Sequence, residues 1–323
     1  MSYADSWLKF EESLGGTRPV LRGSAEEMRS QYDGLNSLLA SQSPPSPENK
    51  LKISDGEVAG VVYRTYTPFG SETKKLPIGV FYHAGGFVVG DLDAEDSFCR
   101  NIALKANVVI LSVGYRLSPE HKAPTHLEDA VTLYEWAYNN AEIIGGDYSN
   151  MLTIGTSAGG GLSLAVARKV ILGQTTVPPD TIKGVVALCP VAFHPRNIPT
   201  KFQAQHSSYK ENKDNVPIVD EESLLQMFDN TGIKPDDESY FPLLDDSCLK
   251  VFPRTYIVTC GMDPLRDDGT VLHESLSSAG VATKINHYGN MPHCFWIVPT
   301  LPETEVFLNE LISGVNWTIK AGN

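Results

Sequence analysis

The stretch Gly155-Thr156-Ser157-Ala158-Gly159 has the clearest chemical potential in this chain. It follows the apolar run Met151-Leu152-Thr153-Ile154 and opens into a helix-like series from Gly160 to Ala167. A strand that turns at once into a helix at a serine between glycines holds the hydroxyl outward on a strained bend, beside the positive helix end. Such a serine is presented for nucleophilic attack on an acyl carbon. A plainer role fits the same residues: Ser157 caps the helix and the glycines allow strand and helix to pack closely.

A serine nucleophile needs an imidazole to take its proton and a carboxylate to orient that imidazole. Asp263 follows the apolar run that ends at Cys260-Gly261. His293 closes the segment Gly289-Asn290-Met291-Pro292, read as a loop after the last strand. Both lie where open parallel sheets gather their sites, beyond strand carboxyl ends. Each has a competitor. Asp263 precedes Pro264 and could simply cap a helix, with Asp267 and Asp268 in its first turn. His287 is the rival base, but it lies inside the alternating strand Thr283 to Tyr288, whereas His293 lies beyond it with room to reach Ser157. His121, His126, His194, His206 and His273 read as surface or packing residues. Acyl transfer also needs donors for the developing oxyanion. His83-Ala84-Gly85-Gly86-Phe87 follows the apolar run Ile78 to Tyr82, and the N–H groups of Gly85, Gly86 and Ala158 would form a three-donor pocket. Neither Gly-x-Gly-x-x-Gly nor a P-loop is present, so the glycine-rich turn is not read as a phosphate cradle.

These residues must be carried by regular elements. Apolar, β-branched runs at 61–66, 78–82, 108–113, 152–154, 184–188, 256–259 and 283–288 alternate with helical patterns at 127–139, 160–171, 271–279 and 303–319. The alternation predicts an α/β fold with a mainly parallel sheet covered by helices on both faces. Two segments stand outside it. Residues 1–45 form an amphipathic helical stretch with Trp7, Phe10 and Leu14, then Met28, Tyr32, Leu35 and Leu39, at helical spacing. Residues 194–250 are polar and interrupt the sheet pattern. Both read as lids or as peripheral decoration, with Ser43-Pro44-Pro45-Ser46-Pro47 as a stiff linker after the first. The resulting division is 1–45, 46–193, 194–250 and 251–323.

The chain has 323 residues and a formal net charge of −13, which opposes binding to nucleic acid or anionic membrane surfaces. Five scattered cysteines without a Cys-x-x-Cys pair indicate neither a zinc site nor a disulfide framework. No signal-peptide core and no membrane span is legible, so a cytoplasmic protein with reduced thiols is expected.

The chain resembles the hormone-sensitive-lipase family of carboxylesterases, which have the α/β-hydrolase fold. The resemblance rests on His83-Ala84-Gly85-Gly86-Phe87, Tyr115-Arg116-Leu117-Ser118-Pro119-Glu120-His121, Gly155-Thr156-Ser157-Ala158-Gly159-Gly160, Asp263-Pro264-Leu265-Arg266-Asp267 and Met291-Pro292-His293, in the family's order over about residues 60 to 295. It implies Ser157 as nucleophile, Asp263 and His293 as its partners, Gly85, Gly86 and Ala158 as oxyanion hole, and a helical cap from the two extra segments. Ala84 replaces a glycine usual in the family, with little effect expected. Cys294 stands where glycine often follows the histidine, and Gly161 where a polar residue is common. The implied activity is hydrolysis of a small to medium carboxylic ester or lactone through an acyl-enzyme, without metal or organic cofactor. Acyl transfer, cyclisation or elimination in the same pocket is the alternative. A catalytically silent receptor, as in plant gibberellin receptors, would lack the working histidine. Homodimers through the last strand and helix are in keeping with the family.

Overall fold

The structure is a computed structural model and describes residues 2–42, 50–71 and 74–319. The Ser43 to Pro47 linker and the 45/46 division lie outside the described residues. Eight strands form one sheet: β1 (Leu51–Val58), β2 (Val61–Pro68), β3 (Leu76–Tyr82), β4 (Val109–Gly114), β5 (Gly146–Thr156), β6 (Ile182–Leu188), β7 (Arg254–Met262) and β8 (Thr283–Pro292). Their spatial order is β1-β2-β4-β3-β5-β6-β7-β8. Pairing is parallel from β4 through β8, while β2 runs antiparallel to both β1 and β4.

The central strands are continuous apolar runs because helices cover both their faces. On one face lie α3 (Asp96–Ala106) and α9 (Pro302–Ile319), joined by the stacked rings of Phe98 and Phe307. On the other lie α4 (Thr125–Asn139), α5 (Ala158–Ile171) and α8 (Arg266–Ser278). Phe81, Phe98, Phe295, Trp296 and Phe307 form a connected aromatic cluster beside the sheet. Each large apolar ring of this kind contributes ~2–3 kcal/mol by leaving water.

Two expectations need correction. Gly289 to Pro292 is not a loop but the end of β8, so His293 comes directly off a strand end. Strand β1 is absent from the sequence reading because its residues are largely exposed and include Asp55 and Gly56; its pairing with β2, rather than its own propensity, makes it a strand.

Residues 1–42 contribute α1 (Asp5–Ser13) and α2 (Ala25–Gln42), and the region 194–250 contributes α6 (Ser208–Glu211) and α7 (Glu221–Thr231). The two segments interlock. Leu21 N–H donates to Ile218 carbonyl at 3.0 Å, Ile218 N–H donates to Pro19 carbonyl at 2.6 Å, and Arg22 pairs with Asp220. Trp7, Phe10, Met28 and Leu39 are buried, as the helical spacing predicts. Arg29 ties α2 to the body of the protein, donating to the carbonyls of Val88 and Ser118 and pairing with Glu120 at 2.7 Å.

Candidate active site

Ser157 sits between β5 and α5 with φ 57° and ψ −117°, a strained conformation for a residue with a side chain. Such strain costs ~1–3 kcal/mol and persists only where the surroundings enforce it. Here Ser157 N–H donates to Leu188 carbonyl at 2.8 Å, and its own carbonyl accepts from Gly161 and Val191 at 3.0 and 3.1 Å. The tight turn also needs close backbone approach: a Cβ on Gly159 would lie 2.0 Å from Tyr82 carbonyl oxygen. Gly161, for which sequence alone supplies no reason, has the same explanation, since its Cβ would meet Val191 carbonyl oxygen at 2.7 Å.

The hydroxyl of Ser157 makes no capping hydrogen bond to α5. It lies instead 2.9 Å from His293 Nε2, and His293 Nδ1 lies 2.7 Å from Asp263 Oδ2. All three side chains are buried. Asp263 Oδ1 accepts the N–H of Leu265 at 2.8 Å, which fixes the carboxylate at the strand end. The rivals are engaged elsewhere. His287 pairs with Thr259 Oγ1 within the sheet. Asp268 accepts the N–H groups of Ala192 and Phe193 and pairs with His206, while Asp267 accepts from Ser207 and Ser208. These two acids therefore anchor the region after β6 rather than orient an imidazole.

Burial by itself would push the His293 imidazole down, and the Asp263 carboxylate beside it more than reverses that, raising it above its ordinary value. Burial drives the Asp263 carboxyl up, with His293 pulling it back. In the neutral imidazole the Asp263 carboxylate holds the proton on Nδ1 and leaves Nε2 free toward the serine hydroxyl, and the same carboxylate stabilises the imidazolium that forms if Nε2 takes up a proton.

The glycine turn after β3 supplies the amides. Gly85 and Gly86 have φ 125° and 60°. Among the described residues no acceptor takes the N–H groups of Gly85, Gly86 or Ala158. A Cβ on Gly85 would lie 2.0 Å from Val89 carbonyl oxygen, and one on Gly86 would lie 2.2 Å from Met227 Sδ. Met227 belongs to α7, so the polar insertion reaches the glycine turn. His83 is buried, stacks on Tyr115 at 4.1 Å and is pushed down to about 4 by burial, which keeps it neutral.

Glu95 is a residue the sequence reading did not single out. Its Oε1 accepts Ala84 N–H at 2.9 Å, one residue before Gly85, and its buried Oε2 has no hydrogen-bond partner among the described residues. Burial raises its carboxyl to about 7, against the pull of the Ala84 amide. We expect Glu95→Ala to lower kcat roughly tenfold by loosening the turn, and Glu95→Gln to restore most of it, since the amide oxygen keeps the bond. The carboxyl's favourable contribution to stability is lost as pH rises through about 7, so thermal melts of Glu95→Gln should decline less across that range than wild type.

A family model described as the α/β hydrolase fold matches residues 79–297. The versiconal hemiacetal acetate esterase of Dothistroma septosporum is 41% identical over 98% of this chain and 95% of its own. The chain belongs to the hormone-sensitive-lipase-like α/β-hydrolase family. A second versiconal hemiacetal acetate esterase, from Aspergillus parasiticus, is 32% identical over 98% of each chain. Among solved structures, vibralactone cyclase superposes on this hydrolase with a TM-score of 0.84 and 27% identity, covering 98% of this chain and 95% of the other. No helix among the described residues is long and apolar enough to cross a membrane. Cys294, directly after His293, adopts φ 53°, a left-handed conformation that glycine takes without strain.

Proposed function

We propose that this hydrolase is a serine carboxylesterase that removes a short acyl group, acetate first, from a small to medium ester or lactone. The observation that carries the reading is the unbroken contact from Ser157 Oγ through His293 to Asp263. His293 Nε2 takes the hydroxyl proton as Ser157 Oγ attacks the carbonyl carbon. The oxyanion is held by the amides of Gly85, Gly86 and Ala158, each worth about 3 kcal/mol of barrier. His293 then passes the proton to the leaving alcohol. Water, deprotonated by the same nitrogen, cleaves the acyl-serine and releases the acid. The names of the two esterase relatives support an acetate ester as substrate.

Residues 1–45 and 194–250 act as two halves of a cap over a core of 46–193 and 251–323, and Met227 above Gly86 is the cap's contact with the reacting centre. The five cysteines are free thiols, in keeping with a cytoplasmic protein, and β8 at the sheet edge with α9 offers a surface for homodimers. The likeness to vibralactone cyclase favours intramolecular acyl capture as the second reading. A panel of p-nitrophenyl acetate, butyrate and longer esters tests the first: turnover is expected to be greatest for the short acyl groups, and absence of turnover across the panel rejects it. A fluorophosphonate probe should label Ser157; an unlabelled serine would point to a receptor.

A further inference from the structure

Two of the five cysteines lie beside the Asp263 carboxylate, and a third directly follows His293 in sequence. Cys189, directly after β6 with φ 43°, places its Sγ 3.5 Å from Cys260 Sγ on the neighbouring strand β7. These two sulfurs and a carboxylate oxygen of Asp263 all lie within 4.8 Å of one another, fully buried. Cys294, next to His293 in sequence, is also buried. The sulfurs are 71 residues apart in sequence, so no ligand spacing announces them.

A tetrahedral zinc-group ion with metal–sulfur bonds of about 2.3 Å and metal–oxygen bonds of about 2.1 Å spans sulfur–sulfur and sulfur–oxygen edges of about 3.8 and 3.6 Å. The thiol pair is therefore already near its liganding distance, and the carboxylate must move by roughly an ångström or less. Soft sulfur donors favour such an ion over magnesium or calcium, which take oxygen.

We propose that Cys189, Cys260 and Asp263, with Cys294 beside them, form a binding site for a thiophilic divalent d10 cation (zinc or cadmium) whose occupancy switches off ester hydrolysis. Binding replaces two S–H bonds with two S–metal bonds and releases two protons to solvent. The cation neutralises the Asp263 carboxylate that holds His293 Nδ1–H, so the imidazole loses the partner that orients it. The inhibitory half rests on the triad reading above; the binding half does not.

Cadmium is titrated into the reduced full-length protein while thiolate-to-cadmium charge-transfer absorption and p-nitrophenyl acetate hydrolysis are followed. One equivalent should saturate the band and lower activity at least about tenfold, with recovery on adding EDTA. The band should persist in Ser157→Ala, where no ester hydrolysis is needed to read it, and in Cys248→Ala, which removes a distant thiol. It should disappear in both Cys189→Ala and Cys260→Ala. X-ray absorption at the cadmium edge on the unsubstituted protein should give two or more sulfur neighbours, a readout independent of how the variants fold. An all-oxygen shell, a band that survives both cysteine variants, or full occupancy with activity unchanged would each overturn the proposal.

Discussion

Replacing Ser157 with alanine is expected to lower kcat for ester hydrolysis by on the order of 10⁵ to 10⁶, with KM changed by no more than about a few-fold. In the proposed mechanism the acyl-enzyme needs the Oγ as its bridging atom, and among the described residues no other hydroxyl is within hydrogen-bond distance of His293 Nε2. Alanine keeps a Cβ at the strained bend, and the backbone bonds to Leu188, Gly161 and Val191 are untouched, so the fold should survive. Steady-state kinetics beside far-ultraviolet circular dichroism separate the two effects. A folded variant retaining more than about one per cent of the wild-type rate would remove Ser157 from the chemistry.

Asp263→Asn should cost about 10⁴ in kcat and also move the pH profile. The carboxylate stabilises the imidazolium of His293 and so raises its pKa against the opposing effect of burial. An amide lacks that charge and presents an N–H to Nδ1, which favours the wrong tautomer at Nε2. With the field gone, burial prevails and the imidazole titrates lower. The limb of kcat/KM that rises with pH should therefore shift to more acidic pH, while its plateau falls. A plateau within about tenfold of wild type, or a limb that stays in place, would show that Asp263 neither orients nor charges the histidine. The linked effect on folding has a fixed sign too. His293 binds its proton more tightly folded than unfolded, so that contribution is present in acid and lost as pH rises through its raised value.

Much of this site is legible residue by residue, since its members sit on punctuated local patterns. Gly155 to Gly159 ends an apolar run and begins a helical one, and both halves of that change are visible in the chain. Asp263 and His293 follow β-branched or alternating runs, and their placement beyond the strand ends comes from the parallel topology those runs imply. Boundaries were less legible. The last turn of expected loop, Gly289 to Pro292, became strand because Met262 pairs with Pro292 across an irregular register, a contact that alternation cannot announce. Helix α3 carried a readable signal, with Cys99, Ile102, Ala103 and Ala106 on its buried face. The helical patterns read from the sequence do not include it.

The amino-acid order therefore determined the α/β alternation, the identity of nucleophile, base and acid candidates, and the supply of unencumbered amides, because periodicity and glycine placement act within a few residues. Which aspartate and which histidine meet Ser157 was decided only when β5, β7 and β8 came together, as His293 is 136 residues from Ser157 and 30 from Asp263. The same holds for Glu95 on one side of the glycine turn, Met227 beside it and the sulfurs near Asp263. Each depends on distances between side chains from separate elements, and such distances are set by packing against the sheet rather than by any local rule.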